Sequence, residues 1–239
     1  MRYRPKNLRD KNPEILNQLA KYNPFIARVY DYPELLIPHP TAESFQKLWA
    51  RKNKDNIGNA FPVKVHIEIG CGSSGYLIEW ALANPRDLFI GLELRYKRLV
   101  LAAKKIQKQN IRNILLLRER GEFLDEYLTH KSIDCLHINF PDPWPKKAKR
   151  KHRILSTEFL TKMRPYFCSE GELRFKTDHL EYFKTVTEIL NQLEFYNIDQ
   201  HTEDLHQSAY DSENILTEFE MLFKSKGNPP IGFLRAKIL

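Results

Sequence analysis

The stretch VKVHIEIGCGSSGYLIEWALAN, residues 63–84, changes its texture in the middle. Up to Gly70 it is a short run rich in Val and Ile, as a β-strand is. From Tyr76 onward it has the texture of a helix. Between the two stand Gly70, Gly72 and Gly75. Gly70 and Gly72 permit a tight turn and let a ligand approach the backbone closely. The spacing is not GxGxxG, because Gly75 falls one place early. A glycine-rich strand-to-helix turn also serves plain geometry, so the turn alone names no ligand.

The same alternation continues outward. Strand patterns lie at 87–94, 113–117, 132–140 and 171–177, and 195–199 and 232–239 read as closing strands. Helical patterns lie at 95–109, 122–128 and 180–193, and from Thr157 to Phe167 behind Ser156 as a cap. Strands separated by helices of this length predict βαβ units, hence a Rossmann-like α/β domain with a mainly parallel sheet and helices on both faces. Before about residue 60 the texture differs. Residues 1–60 read as a basic, Pro-punctuated N-terminal extension, and 61–239 as the α/β domain. The extension holds one short helix over 12–22, with Asn12 as cap, Pro13 at the first helical position, and Ile15, Leu16 and Leu19 on one face. Residues 30–40, with three prolines, read as an irregular linker.

The 239 residues carry a formal net charge of +8, and the six Lys and Arg of 146–153 account for most of it. A local excess of this kind is expected of a polyanion-binding face, and also of a solvated charge run. The three cysteines, Cys71, Cys135 and Cys168, are far apart and odd in number. They form neither a disulfide framework nor a CxxC zinc site, and no histidine pair has HExxH spacing, so no metal is expected. No apolar run approaches the roughly 18 residues of a membrane span, and the N-terminus lacks the apolar core of a signal peptide. A cytoplasmic protein, monomer or homodimer, with no obligatory protein partner, is the expectation.

Ligands of parallel sheets bind beyond the carboxyl ends of the strands. Those ends hold EIGCGSSG, LELR, RERG and NFPDP, which places Glu68, Gly70, Gly72, Glu93, Arg95, Arg120 and Asn139 at one edge. Glu93 lies 25 residues after Glu68, where an acid can accept two hydrogen bonds from a ribose diol. It can equally favour the helix N-terminus that follows. Glu68 bears on the choice of cofactor. A carboxylate before the glycines repels the pyrophosphate of NAD, and suits a ligand carrying an ammonium and a sulfonium, as S-adenosylmethionine does.

The fourth strand ends in NFPDPWPKKAKRKHR, residues 139–153. Pro141, Pro143 and Pro145 fix three φ angles and bias Phe140, Asp142 and Trp144 away from the helical region, which predicts an extended, stiff corner. Such a corner at the ligand edge holds the one acid, Asp142, to close tolerance.

EIGCG, GLEL, NFPDPWPKKAKRKHR, FKTD and TEFE, in this order and spacing, resemble the tRNA (guanine-N7)-methyltransferases of the bacterial TrmB type, from about residue 60 to the end. The FPDPWPKK block is the most specific part. The resemblance implies a class I S-adenosylmethionine-dependent methyltransferase fold and methyl transfer to N7 of a guanosine in the tRNA variable loop, conventionally position 46, with S-adenosylhomocysteine as product. It places Glu68 and Glu93 on the cofactor, Asp142 at the reacting site, and Lys146, Asp178 and the Thr217, Glu218, Phe219, Glu220 stretch on the substrate. Two positions depart from the family pattern. Ser74 stands where a third glycine is usual. Arg120-Gly121 stands where an acid or amide, often followed by Ala, lies near the adenine, so either the backbone there or Glu119 takes that task, or cofactor affinity is reduced. An NAD-dependent oxidoreductase and a non-catalytic RNA-binding module are the alternatives.

Two of these positions also have structural readings. Thr217 to Glu220 has the form of a helix capping box, and Asp178 precedes a helix that it could cap. Trp144 stands to stack on a base or to pack at the rim. If all six cations of 146–153 met phosphates, the log–log salt slope of RNA binding would be roughly −4 to −5. Arg2, Arg4, Lys6, Arg9 and Lys11 offer a second basic arm.

Overall fold

The computed structural model describes residues 20–47, 50, 64–224, 227 and 229–239. Among these residues eight strands form one sheet: β1 Leu36–Ile37, β2 Val65–Ile69, β3 Leu88–Leu92, β4 Ile114–Leu117, β5 Ile133–Asn139, β6 Phe167–Thr177, β7 Tyr196–Thr202 and β8 Gly232–Ile238. Their order is β1-β4-β3-β2-β5-β6-β8-β7. The first six run parallel, and β8 is antiparallel to both β6 and β7.

The strands are apolar on both faces because both are covered. Ile67, Ile90, Leu92, Leu115, Leu117, Leu136 and Ile138 point one way, into a core shared with α3 (Thr157–Met163) and α4 (Leu180–Gln192). Phe89, Ile114 and Leu116 point the other way, against α1 (Gly75–Ala83) and α2 (Tyr96–Lys108). The antiparallel pair β7 and β8, and α5 (Glu218–Lys224) between them in sequence, complete the carboxyl half. The mainly parallel α/β sheet with helices on both faces, expected from the alternation, is the one observed. No helix among the described residues is long and apolar enough to cross a membrane.

Three expectations change. Residues 30–40 are not simply a linker. Leu36 and Ile37 pair in parallel with Leu116 and Leu117 and extend the sheet by one edge strand, while Val29 and Phe45 are buried in its two cores. Two residues are too few to carry a strand period, so only the open edge of β4 reveals them. Residues 122–128 form a 3₁₀ turn, Gly121–Glu126. At Gly121 a Cβ would lie 2.6 Å from Ile69 Cγ2, so the turn enters packed against the end of β2. Finally, β6 begins at Phe167, ahead of Gly171, and Glu170 takes φ +61 beside a register shift against β5. Most of the helix expected over 12–22, with the basic arm before it, lies outside the described residues.

Candidate active site

The glycine turn is tied to the end of β3. Gly70 and Cys71 N–H both donate to Leu92 O, at 2.8 and 2.9 Å. Gly70 has φ +80 and Gly72 φ +56, and a Cβ at either would meet nothing within 4 Å, so bare backbone faces open space. Ser74, in place of a third glycine, also turns left-handed at φ +60 while fully buried. That conformation costs a non-glycine residue roughly 1–2 kcal/mol.

Beside the turn, Glu68 is buried. Asn139 Nδ2 donates to its Oε1 at 3.0 Å, and Oε2 has no hydrogen-bond partner among the described residues. Burial pushes the carboxyl up to about 7, against the pull of Asn139 and the Lys176 charge. A buried carboxylate oxygen without a partner is costly, and a cation placed there would satisfy it. One strand over, Glu93 is buried too, and its Oε1 accepts from Leu94 N and Arg95 N at 2.8 and 2.9 Å, which fixes the carboxylate at the strand end. Arg95 holds both its oxygens at 3.2 Å, but with an exposed side chain. Its guanidinium is pushed above its ordinary range by the hydrogen bond to Glu93, and Asp142 adds to the effect. The ends of β3 and β5 lie at the same sheet edge, one on each side of β2. Next to Leu94 a cleft of about 260 Å³ opens, lined also by Pro38, His39, Arg118, Glu119 and Tyr127.

The proline corner is stiff but not extended. Phe140 and Trp144 take φ +47 and +41, both just before a proline. Bulky residues reach this region only under strain, which surrounding contacts must hold. Phe140 N donates to Lys176 O at 2.8 Å, and its ring stacks on Phe219 at 5.5 Å and meets Phe223 at 5.8 Å. Trp144 lies at the rim against His152, 36% exposed. Asp142, between the two kinks, is exposed.

The basic run forms a 3₁₀ turn, Lys147–His152, and its six cations divide. Arg153 is buried: it donates from Nε to Pro143 O at 2.7 Å and from NH2 to Glu181 at 2.6 Å, with its guanidinium 4.5 Å from the Tyr182 ring. Arg150 pairs with the same Glu181 at 3.1 Å. Arg153 is thus a brace for the corner and not a phosphate contact. Lys146, Lys147, Lys149 and Lys151 are exposed.

A family model described as "Putative methyltransferase" matches residues 62–232. The tRNA (guanine-N7)-methyltransferase of Enterococcus faecalis is 33% identical over 196 residues, covering 82% of this chain and 87% of that one. The chain belongs to this family. A bifunctional glycosyltransferase/methyltransferase of Fusobacterium nucleatum is 38% identical over 92% of this chain, which spans only 33% of that larger protein. Among solved structures, the 16S rRNA methyltransferase KamB has a TM-score of 0.59 at 14% identity, covering 80% of this chain and 93% of that one, a likeness of fold.

The other positions that the family pattern marks are placed unequally. Asp178 and Lys146 are exposed at the same edge. Asp178 does not cap α4; His179 does, its Nδ1 accepting from Tyr182 N at 3.1 Å. Thr217 and Glu220 are buried and form a reciprocal capping box: Thr217 N donates to Glu220 Oε2 at 2.7 Å, and Glu220 N to Thr217 Oγ1 at 3.1 Å. Glu220 also accepts from Asn214 Nδ2 at 3.0 Å and pairs with buried Lys176 at 3.2 Å. Its carboxylate is spent inside the fold, so direct substrate contact by Thr217 or Glu220 is not what the geometry offers. Phe219, 51% exposed, is the residue of that stretch that faces outward. The Arg120 guanidinium turns to Glu122 at 2.6 Å, while Glu119 is buried on the cleft and accepts from Tyr127 Oη at 2.6 Å.

Sequence spacing also missed a polar row inside the sheet. Tyr76 Oη, His137 and His66 are linked at 3.0 and 3.1 Å, with Asp87 3.4 Å beyond and Cys135 alongside. Burial, followed by the charges of His66, Arg174 and Lys176, holds His137 well below its ordinary range. Its ring nitrogens are used by hydrogen bonds next to two cations, which suits a neutral core element and not a dication site.

Lys176→Met leaves Glu220 as an uncompensated buried charge. The expected loss is about 3–5 kcal/mol in urea unfolding, partly regained in Lys176→Met/Glu220→Gln.

Proposed function

We propose that the protein transfers a methyl group from S-adenosylmethionine to N7 of a guanosine in tRNA, at position 46 of the variable loop. The observation that carries this reading is the arrangement at one sheet edge. A buried carboxylate with an oxygen unpartnered among the described residues, Glu68, lies beside bare glycine backbone at the end of β2, and exposed Asp142 follows the neighbouring end of β5 on a corner braced by Arg153 and followed by exposed lysines.

The residues fit the donor. Glu68 Oε2 would accept from the ammonium, Glu93 from the ribose diol, and the cleft beside Leu94 and Glu119 would take the adenine. When bound, S-adenosylmethionine supplies an electrophilic methyl on a sulfonium. Guanine N7 has an in-plane lone pair and no proton, so the attack needs no general base. The protein's task is alignment, which carries most of the rate. Asp142 would hold the guanine N1–H and amino edge and stabilise the positive charge that reaches the purine. Exposed Phe219, backed by Phe140, offers a face for a base.

The lysines of the turn would grip phosphates and set register without reading sequence. Four engaged cations predict a log–log salt slope of roughly −3 to −4 for tRNA binding. A slope of −5 would mean that Arg150 and Arg153 leave Glu181 to join them.

Two measurements test the function itself. Calorimetry with S-adenosylhomocysteine and with NAD should show binding of the first alone. Labelled methyl should pass from S-adenosylmethionine into bulk tRNA; binding of tRNA without incorporation would leave only an RNA-binding module.

A further inference from the structure

Glu218 joins two parts of the site that lie far apart in sequence. It opens α5, on the acceptor side. Its Oε1 accepts from the hydroxyl of Ser73, in the donor turn, and from Lys105 Nζ on α2 at 2.7 Å. Lys105 also donates to Ser73 Oγ at 3.2 Å, and Arg98 NH1 lies 3.6 Å from Oε2. The approach is tight on the carbon side as well. A Cβ at Gly75 would come within 3.2 Å of Glu218 Cγ and Oε1, closer than ordinary contact. Burial raises the carboxyl, but the hydrogen bonds from Lys105 and Ser73 and the charges of Lys105 and Arg98 outweigh it and hold it below its ordinary range.

α5 depends on such contacts. Its seven residues fall short of the roughly 12 that a helix needs to stand alone. Phe219, Met221 and Leu222 on its outer side are exposed. The capping box with Lys176 secures the helix to the β6 side. The Glu218 contacts secure it to the glycine turn.

We propose that Glu218 is a positioning residue, an internal clasp that acts through Ser73 and Lys105 to fix the acceptor-side helix to the donor turn. This rests on the assignment of α5 to the RNA side in the proposed function. Glu218 is then not itself a substrate contact. It sets the distance between the Phe219 face and the glycine turn, and the two halves of the site move as one body.

The test uses Glu218→Gln and Lys105→Met, singly and together, in the full chain. Filter binding of bulk tRNA at fixed salt and amide exchange of residues 217–223 without RNA are the two readouts. Each single substitution should weaken tRNA binding roughly tenfold, the effect of losing one charge-assisted hydrogen bond. The double variant should be no worse than the weaker single one, and Lys105→Arg should restore binding. Exchange in α5 should quicken in both single variants. The sign for Glu218→Gln is diagnostic, because removing an acid near RNA strengthens binding on charge alone. Tighter binding by that variant, additive losses, or unchanged exchange in α5 would each overturn the clasp. The exchange readout needs no RNA. A wild-type protein that fails to bind tRNA therefore counts against the functional reading, while the clasp is still judged.

Discussion

Asp142→Ala is expected to lower methyl transfer to tRNA roughly 100- to 1,000-fold, the effect of losing one preorganised electrostatic contact at the reacting centre. S-adenosylhomocysteine binding should stay within about twofold, because the residues that fit the cofactor are Glu68, Glu93 and the glycine turn. The geometry argues for this split. Asp142 is exposed in the proline corner, so its truncation removes no buried packing. Stability should change by less than about 0.5 kcal/mol, as for other surface substitutions. Asp142→Asn separates two contributions. An amide can accept one hydrogen bond from guanine but cannot offset its positive charge, so the rate should lie between those of Asp142→Ala and the wild type. Wild-type turnover in Asp142→Ala would remove the residue from the reaction.

Glu68 carries the second large effect. Its carboxyl, pushed up to about 7 by burial, binds a proton in the folded protein that it would release near pH 4.5 when exposed. Between these two values the folded state holds more protons, so this group's contribution to stability falls as pH rises through that window. An ammonium beside Oε2 favours the ionised form. Cofactor affinity should therefore rise with pH, by up to about tenfold per unit below pH 7, and level off above it. Glu68→Gln should weaken S-adenosylmethionine binding about 10- to 100-fold at pH 8 and flatten this dependence. Calorimetry at several pH values checks both. A wild-type affinity independent of pH between 5.5 and 8 would mean that Glu68 does not meet the ammonium.

Much of the fold is legible in the sequence because its strands are buried on both faces. Runs such as Leu88–Leu92 and Ile114–Leu117 leave little room for another reading. The edge strand Leu36–Ile37 was not legible, since its pairing with β4 is a tertiary fact. The site divides in the same way. Glu68, Glu93 and Asn139 follow from their places at strand ends, and the structure brings Glu68 and Asn139 into contact. The fate of each charge does not follow from its place. Arg153 resembles its neighbours in sequence, yet Glu181 and Tyr182 from α4 draw it inward. Arg120 turns to Glu122, and Glu218 reaches Ser73 across 145 positions. The proline rule forecast a rigid corner but not its shape. Phe140 adopts positive φ under the hold of Lys176 and two phenylalanines, all beyond local sequence.

The central claim is that this edge delivers a methyl group to N7 of a guanosine in tRNA. The most direct measurement is to incubate unmodified tRNA with the protein and S-adenosylmethionine, cleave the RNA at N7-methylguanosine, and read the position. The account predicts a single cut in the variable loop, at position 46, that forms far more slowly with Asp142→Ala. Methyl at another atom or base, or no cut at all, would contradict it.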